Sequence, residues 1–175
     1  METLLRLQDV GIMRMPKGEP TINLDLKQGE VHAIMGESGT GKTGIAYFLA
    51  GMQSPFSGKL FIKQEQVVLK NPNHAIALGI GVYLQNNSSF GYAPLTVKEY
   101  LFLWTNKLFV SDRKLTTRTE ALFNEYEIKV NPDSLFWELK QEEQRLVYLM
   151  RVLARDPLFL ILDEPSLGLS ELKKQ

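Results

Sequence analysis

VHAIMGESGTGKTGIAYFLAG, residues 31–51, decides how this chain folds. VHAIM (31–35) is a short β-type run, GESGTGKT (36–43) is a glycine-rich turn, and KTGIAYFLA (42–50) has the apolar spacing of a helix closed by Gly51. The expected order is strand, loop, helix. The turn fits the pattern G-x-x-x-x-G-K-[ST], which carries meaning in this setting because the strand delivers the loop and the helix turns its free amides toward it. Gly36, Gly39 and Gly41 let successive backbone amides face one anion, Lys42 adds a point charge, and the Thr43 hydroxyl can ligate Mg²⁺. A glycine-rich turn with a surface lysine is the plainer reading, and the flanking strand and helix weigh against it. Gly36, Glu37, Ser38, Gly39, Thr40, Gly41, Lys42 and Thr43 are therefore expected to hold a nucleotide's phosphates.

Outward from this block, TLLRLQDV (3–10), INLDL (22–26), GKLFIK (58–63), QVVL (66–69) and IGVYL (80–84) read as strands. Pro72 after Asn71 marks a short capped helix over 72–78. From Thr96, where TVKE places a Thr and a Glu three residues apart, helices are expected to dominate to about residue 155. The last of them, QEEQRLVYLMRVLAR (141–155), has acids in its first turn and arginines toward its end, as a helix dipole favours. Asp156 and Pro157 stop it. LFLIL (158–162) then reads as a buried strand bringing Asp163 and Glu164 to its carboxyl end.

With 175 residues, one α/β domain is the expected count. Lys plus Arg equals Asp plus Glu at 20 each, so no net field draws the chain to nucleic acid or an anionic membrane. Without cysteine there are no disulfides and no cysteine-ligated metal, which fits the cytosol. METLLRLQDV has no basic segment followed by an apolar stretch, and no apolar run reaches the roughly 18 to 20 residues that span a bilayer.

A phosphate loop of this kind works with a distal acid on a strand, and LFLILDEP supplies Asp163 for the cation and Glu164 to polarise a water. ARDPLFLILDEPS resembles the Walker B region of ATP-binding cassette (ABC) ATPases. GVYLQNNSSFGYAPLTVKEYLFL resembles that family's Q-loop region, with Gln85 at the glutamine. HAIALGIGVYLQ, QGEVHAIMGESGTGKT and PSLGLSE are similar to the monosaccharide-importer subgroup, where the loop after Walker B often ends as Ser170 does here. The resemblance implies a P-loop NTPase with an antiparallel β subdomain, a parallel core sheet and a helical subdomain at about 96–155. It implies bound ATP and Mg²⁺, with Thr43, Gln85 and Asp163 at the metal and Glu164 and Gln85 as catalytic residues. It further implies a second cassette joined head to tail, and a transmembrane permease that holds the subunit on the inner face of the membrane.

Three differences from the family pattern stand in the sequence. LKQEE (139–143) occupies the place of the family's LSGGQ or LSVGQ, with Lys140 for Ser and Glu142 for Gly; the plain reading of Glu142 and Glu143 is an acidic first turn that steadies its own helix. Met13 or Met15 stands where the family stacks adenine on an aromatic ring. The family's central strand with its switch histidine is not among these 175 residues, and His32 and His74 read as an ordinary strand residue and a surface residue. The functional expectation is an ATP-binding subunit, truncated or divergent, or part of a longer protein. The alternative is a non-catalytic remnant or regulatory partner of a complete cassette.

Overall fold

The computed structural model describes residues 2–12, 21–37, 39–55, 57–84, 94–103 and 111–164. They form two compact units, one of Met1–Val82 with Pro157–Asp163, the other built around Tyr83–Asp156.

The first unit carries a four-stranded antiparallel sheet in the order β2 (Ile22–Lys27), β1 (Thr3–Gly11), β3 (Ser57–Ile62), β4 (Glu65–Val67). Period-two alternation positions it: Leu5 and Leu7 of β1 lie opposite Leu26 and Leu24 on one side and Ile62 and Leu60 on the other. Arg6 and Asp25 face each other across the strands, paired at 2.6 and 3.0 Å. Helix α1 (Lys42–Leu49) buries Ile45, Phe48 and Leu49, a stripe at helical spacing, in one apolar cluster with the Leu5, Leu7, Val10, Leu60 and Ile62 side chains. Gly51 ends α1 with φ 70°, its amide donating to Phe48 and that of Met52 to Tyr47, the paired bonds of a Schellman motif. Helix α2 (Pro72–Ala77) starts on Asn71, whose side chain accepts from His74 N at 2.9 Å. It leads through Gly79 to β5 (Ile80–Tyr83), which pairs with β6 (Phe159–Leu162) in a separate two-stranded parallel sheet.

Two expectations are corrected here. VHAIM (31–35) is not a strand: it joins no ladder among the described residues, and Val31, Ile34 and Met35 are exposed. Its composition suits a strand, but a strand exists only as half of a pair, and none of the described residues pairs with it. His32 is therefore no strand residue either; its ring lies 3.1 Å from Glu30. The second correction concerns β6, of which only Phe159 is buried while Leu162 is 43% exposed. The parallel core thus comprises β5 and β6 alone among the described residues.

The second unit is helical: α3 (Val97–Phe102), α4 (Asp112–Glu125) and α5 (Gln141–Leu153) enclose Val97, Tyr100, Leu101, Phe123, Phe136, Val147 and Met150. Thr96 caps α3 as a complete capping box, its hydroxyl accepting from Glu99 N while Glu99 accepts from Thr96 N at 2.7 Å. Lys98, in the same first turn, is buried, and its ammonium is held by Asp112 at 2.7 Å, by Asp133 and by Thr116. These partners hold Lys98 above its ordinary pKa, Asp112 first, so it enters the interior as a cation. No described helix is long and apolar enough to cross a membrane.

Thr119 of α4 is fully buried, with no hydrogen-bond partner for its hydroxyl among the described residues. Thr119→Val should therefore raise stability by about 1 kcal/mol, read from urea unfolding. Burial pushes the Tyr100 phenol up to about 12, against the pull of Arg151. A group raised in the folded state stabilises fully below its unfolded pKa and loses that contribution as pH rises. Stability should thus fall between about pH 10 and about pH 12. Tyr100→Phe should flatten that fall in urea midpoints measured across the range.

Candidate functional site

The glycine-rich turn opens α1 without a side-chain cap: Gly41 is the N-cap at φ 91°, a conformation glycine adopts without steric cost. The first-turn amides are thus left to another acceptor, and the positive end of the helix favours an anion there. Lys42 Nζ donates to the carbonyls of Gly36 at 2.7 Å and Glu37 at 2.6 Å, and the Thr40 hydroxyl donates to the Glu37 carbonyl at 2.8 Å. These bonds wrap the loop around the ammonium. Beside Gly39, at φ 84°, nothing among the described residues lies within 4 Å of where a Cβ would stand.

Thr43, the second residue of α1, donates its hydroxyl to Asp163 Oδ1 at 3.4 Å. Asp163 directly follows β6, so the sheet and the helix bring together two residues 120 positions apart. An all-oxygen pair of hydroxyl and carboxylate suits a hard cation such as Mg²⁺, which takes one or two carboxylates and completes its shell with phosphate oxygens and water.

Over residues 20–167 the sequence matches the ABC transporter family. The chain belongs to that family. Among curated ABC relatives it is 35% identical over 153 residues to the ribose import ATP-binding protein RbsA of Rhodococcus jostii, covering 85% of this chain and 30% of that protein. It is 30% identical over 156 residues to the galactose/methyl galactoside import ATP-binding protein MglA of Clostridium perfringens, covering 89% and 30%. The chain thus spans about 30% of the length of these relatives. A dimeric ABC cassette solved in a post-hydrolysis state with ADP and Pi superposes with a TM-score of 0.73 at 21% identity, over 94% of this chain and 75% of that one, a likeness of fold.

Of the residues expected at the ABC site, the structure gathers Gly36, Glu37, Gly39, Thr40, Gly41, Lys42, Thr43 and Asp163 in the first unit. Glu164 falls in the second unit, at φ 50°, where non-glycine residues are uncommon. Ser38, Gln85, Met13, Met15 and Ser170 lie outside the described residues.

At the LKQEE segment, Glu143 accepts from Lys140 N at 2.9 Å. Lysine has no acceptor to return, so the capping box is half made, and the acidic turn of α5 stabilises its own helix. Gln144 adds bonds to the carbonyls of Phe136, Trp137 and Leu139, tying the preceding 3-10 turn Phe136–Glu138 to α5.

Sequence reasoning passed over Gly44 and Gln53. A methyl at Gly44 would overlap Ile12 Cγ2, and the Gln53 amide donates to the Gly44 carbonyl at 2.8 Å. The available signal was energetic: glycine inside a helix costs about 1 kcal/mol relative to alanine, so its presence directly after Lys42 and Thr43 marks a close approach.

If Glu143 acts on its own helix, Glu143→Ala should lower stability by about 0.5–1 kcal/mol, measured by urea unfolding, whereas Glu142→Ala should change it less.

Proposed function

We propose that this chain is the ATP-binding subunit of an ABC importer, or part of one, which binds Mg-ATP and couples it to a membrane permease for a monosaccharide of the ribose or galactose type. The observation that carries the reading is the approach of the Thr43 hydroxyl to the Asp163 carboxylate, 3.4 Å apart beside the phosphate loop. The names of the curated relatives support the sugar class.

In this reading the amides of the 36–43 loop and the Lys42 ammonium bind the β- and γ-phosphates. Thr43 and Asp163 would hold Mg²⁺, together with Gln85, and the bound ion would supply positive charge against the phosphate oxygens. Glu164 is the general base, its carboxylate accepting a proton from the water that attacks the γ-phosphorus as the bond to the β–γ bridging oxygen breaks and ADP leaves. A second cassette packs head to tail, and the permease keeps the subunit at the cytoplasmic face of the membrane.

The test is nucleotide titration of the pure chain. Lys42→Ala should weaken ATP binding by about 10- to 100-fold, the loss of a charge-assisted contact. Equal, weak binding by both proteins would end the reading.

A second reading is favoured by one observation, the half-made cap of α5, in which Glu142 and Glu143 put negative charge on a helix start where the family pattern has the uncharged Gly and Gln. On that reading the chain is a regulatory partner that hydrolyses nothing. ATP turnover by the lone chain, lost in Glu164→Gln, would exclude it; no turnover in either protein is what it expects.

A further inference from the structure

Helix α1 presents Lys42 and Thr43 on its first turn, and something must fix the direction in which they point. Successive residues of an α-helix stand about 100° apart around the axis, so holding any one of them fixes the azimuth of the next. Gly44 is held from two sides. Ile12, which follows β1, lies so close that its Cγ2 fills the place of a Gly44 side chain. Gln53, beyond the Gly51 turn, donates from its half-buried side chain to the Gly44 carbonyl at 2.8 Å. Ile12 is itself aimed by a bulge in β1, where Asp9 takes φ 52° and its amide donates to the Asn23 side chain at 2.9 Å.

We infer that Gln53 is a positioning residue for the cation side of the site. By holding the Gly44 carbonyl while Ile12 fills the side-chain position of the same residue, it sets the azimuth of α1 and so the aim of the Thr43 hydroxyl at Asp163. Gln53 reaches neither phosphate nor metal in this role; it acts through Gly44. Lys42, by contrast, is anchored by the carbonyls of Gly36 and Glu37 and keeps its place when α1 turns by a few degrees. The consequence is selective: loss of the Gln53 contact should damage the part of ATP binding that depends on Mg²⁺ and spare the part that does not.

The inference rests on the Mg-ATP reading of the site, and the experiment separates the two. ATP is titrated into the full chain with excess Mg²⁺ and with EDTA, for the native protein and for Gln53→Leu, which keeps volume and removes the donor. The expected result is a loss of about tenfold in the Mg²⁺-dependent gain in affinity, with metal-free binding changed less than about twofold, the scale of loss usual for outer-shell supports of a metal site. A gain from Mg²⁺ equal to that of the native protein would overturn the inference and leave the Mg-ATP reading standing. A native protein that binds no nucleotide would overturn both.

Should Gln53→Leu not fold, the decision passes to Gly44→Ala, alone and with Ile12→Ala, which removes the methyl it would overlap. Restoration of the Mg²⁺ gain in the double variant to within about threefold of native supports the azimuth account, since support shells act through geometry. Failure of the folded double variant to recover it overturns the account.

Discussion

A hydroxyl and a carboxylate 3.4 Å apart, Thr43 on α1 and Asp163 after β6, are the constraint around which the first unit is organised. To bring them together, the chain must pack α1 on the antiparallel sheet and return, more than a hundred residues later, to lay β6 beside β5. Both requirements are met by burial. Ile45, Phe48 and Leu49 anchor α1, and Phe159 and Ile80 anchor the strand pair in the same apolar cluster. The cluster sets the scaffold; Ile12, Gly44 and Gln53 set the finer angle. A hydrophobic core by itself leaves a helix some freedom to turn about its axis, so a directed hydrogen bond and a steric contact add what burial lacks.

The helical unit shows how polar groups can enter an apolar interior at tolerable cost. Lys98 is buried with two carboxylates and a hydroxyl around its ammonium, whereas the Thr119 hydroxyl is buried without a partner among the described residues. The first arrangement satisfies the charge on both chemical and electrostatic grounds. The second is a local debit that a same-shaped apolar side chain removes. Helix starts in this unit follow the same logic: Thr96 and Glu99 cap each other, while at α5 the acid of the pair is present and its hydroxyl partner is replaced by Lys140.

Local chemistry was legible in the sequence wherever it was self-contained. Asn71 with Pro72, Thr96 with Glu99, and Gly51 after an apolar helix each specify their own turn, and the structure places them as read. The pairing of Thr43 with Asp163 was legible because the glycine pattern and the acidic strand end have meaning together. VHAIM misled because β-type composition describes a residue's preference and not the presence of a neighbouring strand. The half-exposed β6 misled for a related reason: its apolar run gives no account of what covers it. Gln53 and the Asp9 bulge carried no recognisable pattern, since a glutamine after a turn acquires its role from which carbonyl the fold brings within reach.

The central claim is that Thr43 and Asp163 act on one shared hydrated cation. A double-mutant cycle on Mg-ATP affinity, with Thr43→Val, Asp163→Asn and the pair, tests it most directly. The account predicts non-additive losses, with a coupling of about 0.5 kcal/mol or more that vanishes when the titrations are repeated in EDTA. Additive losses in Mg²⁺, or the same coupling without the metal, would contradict it.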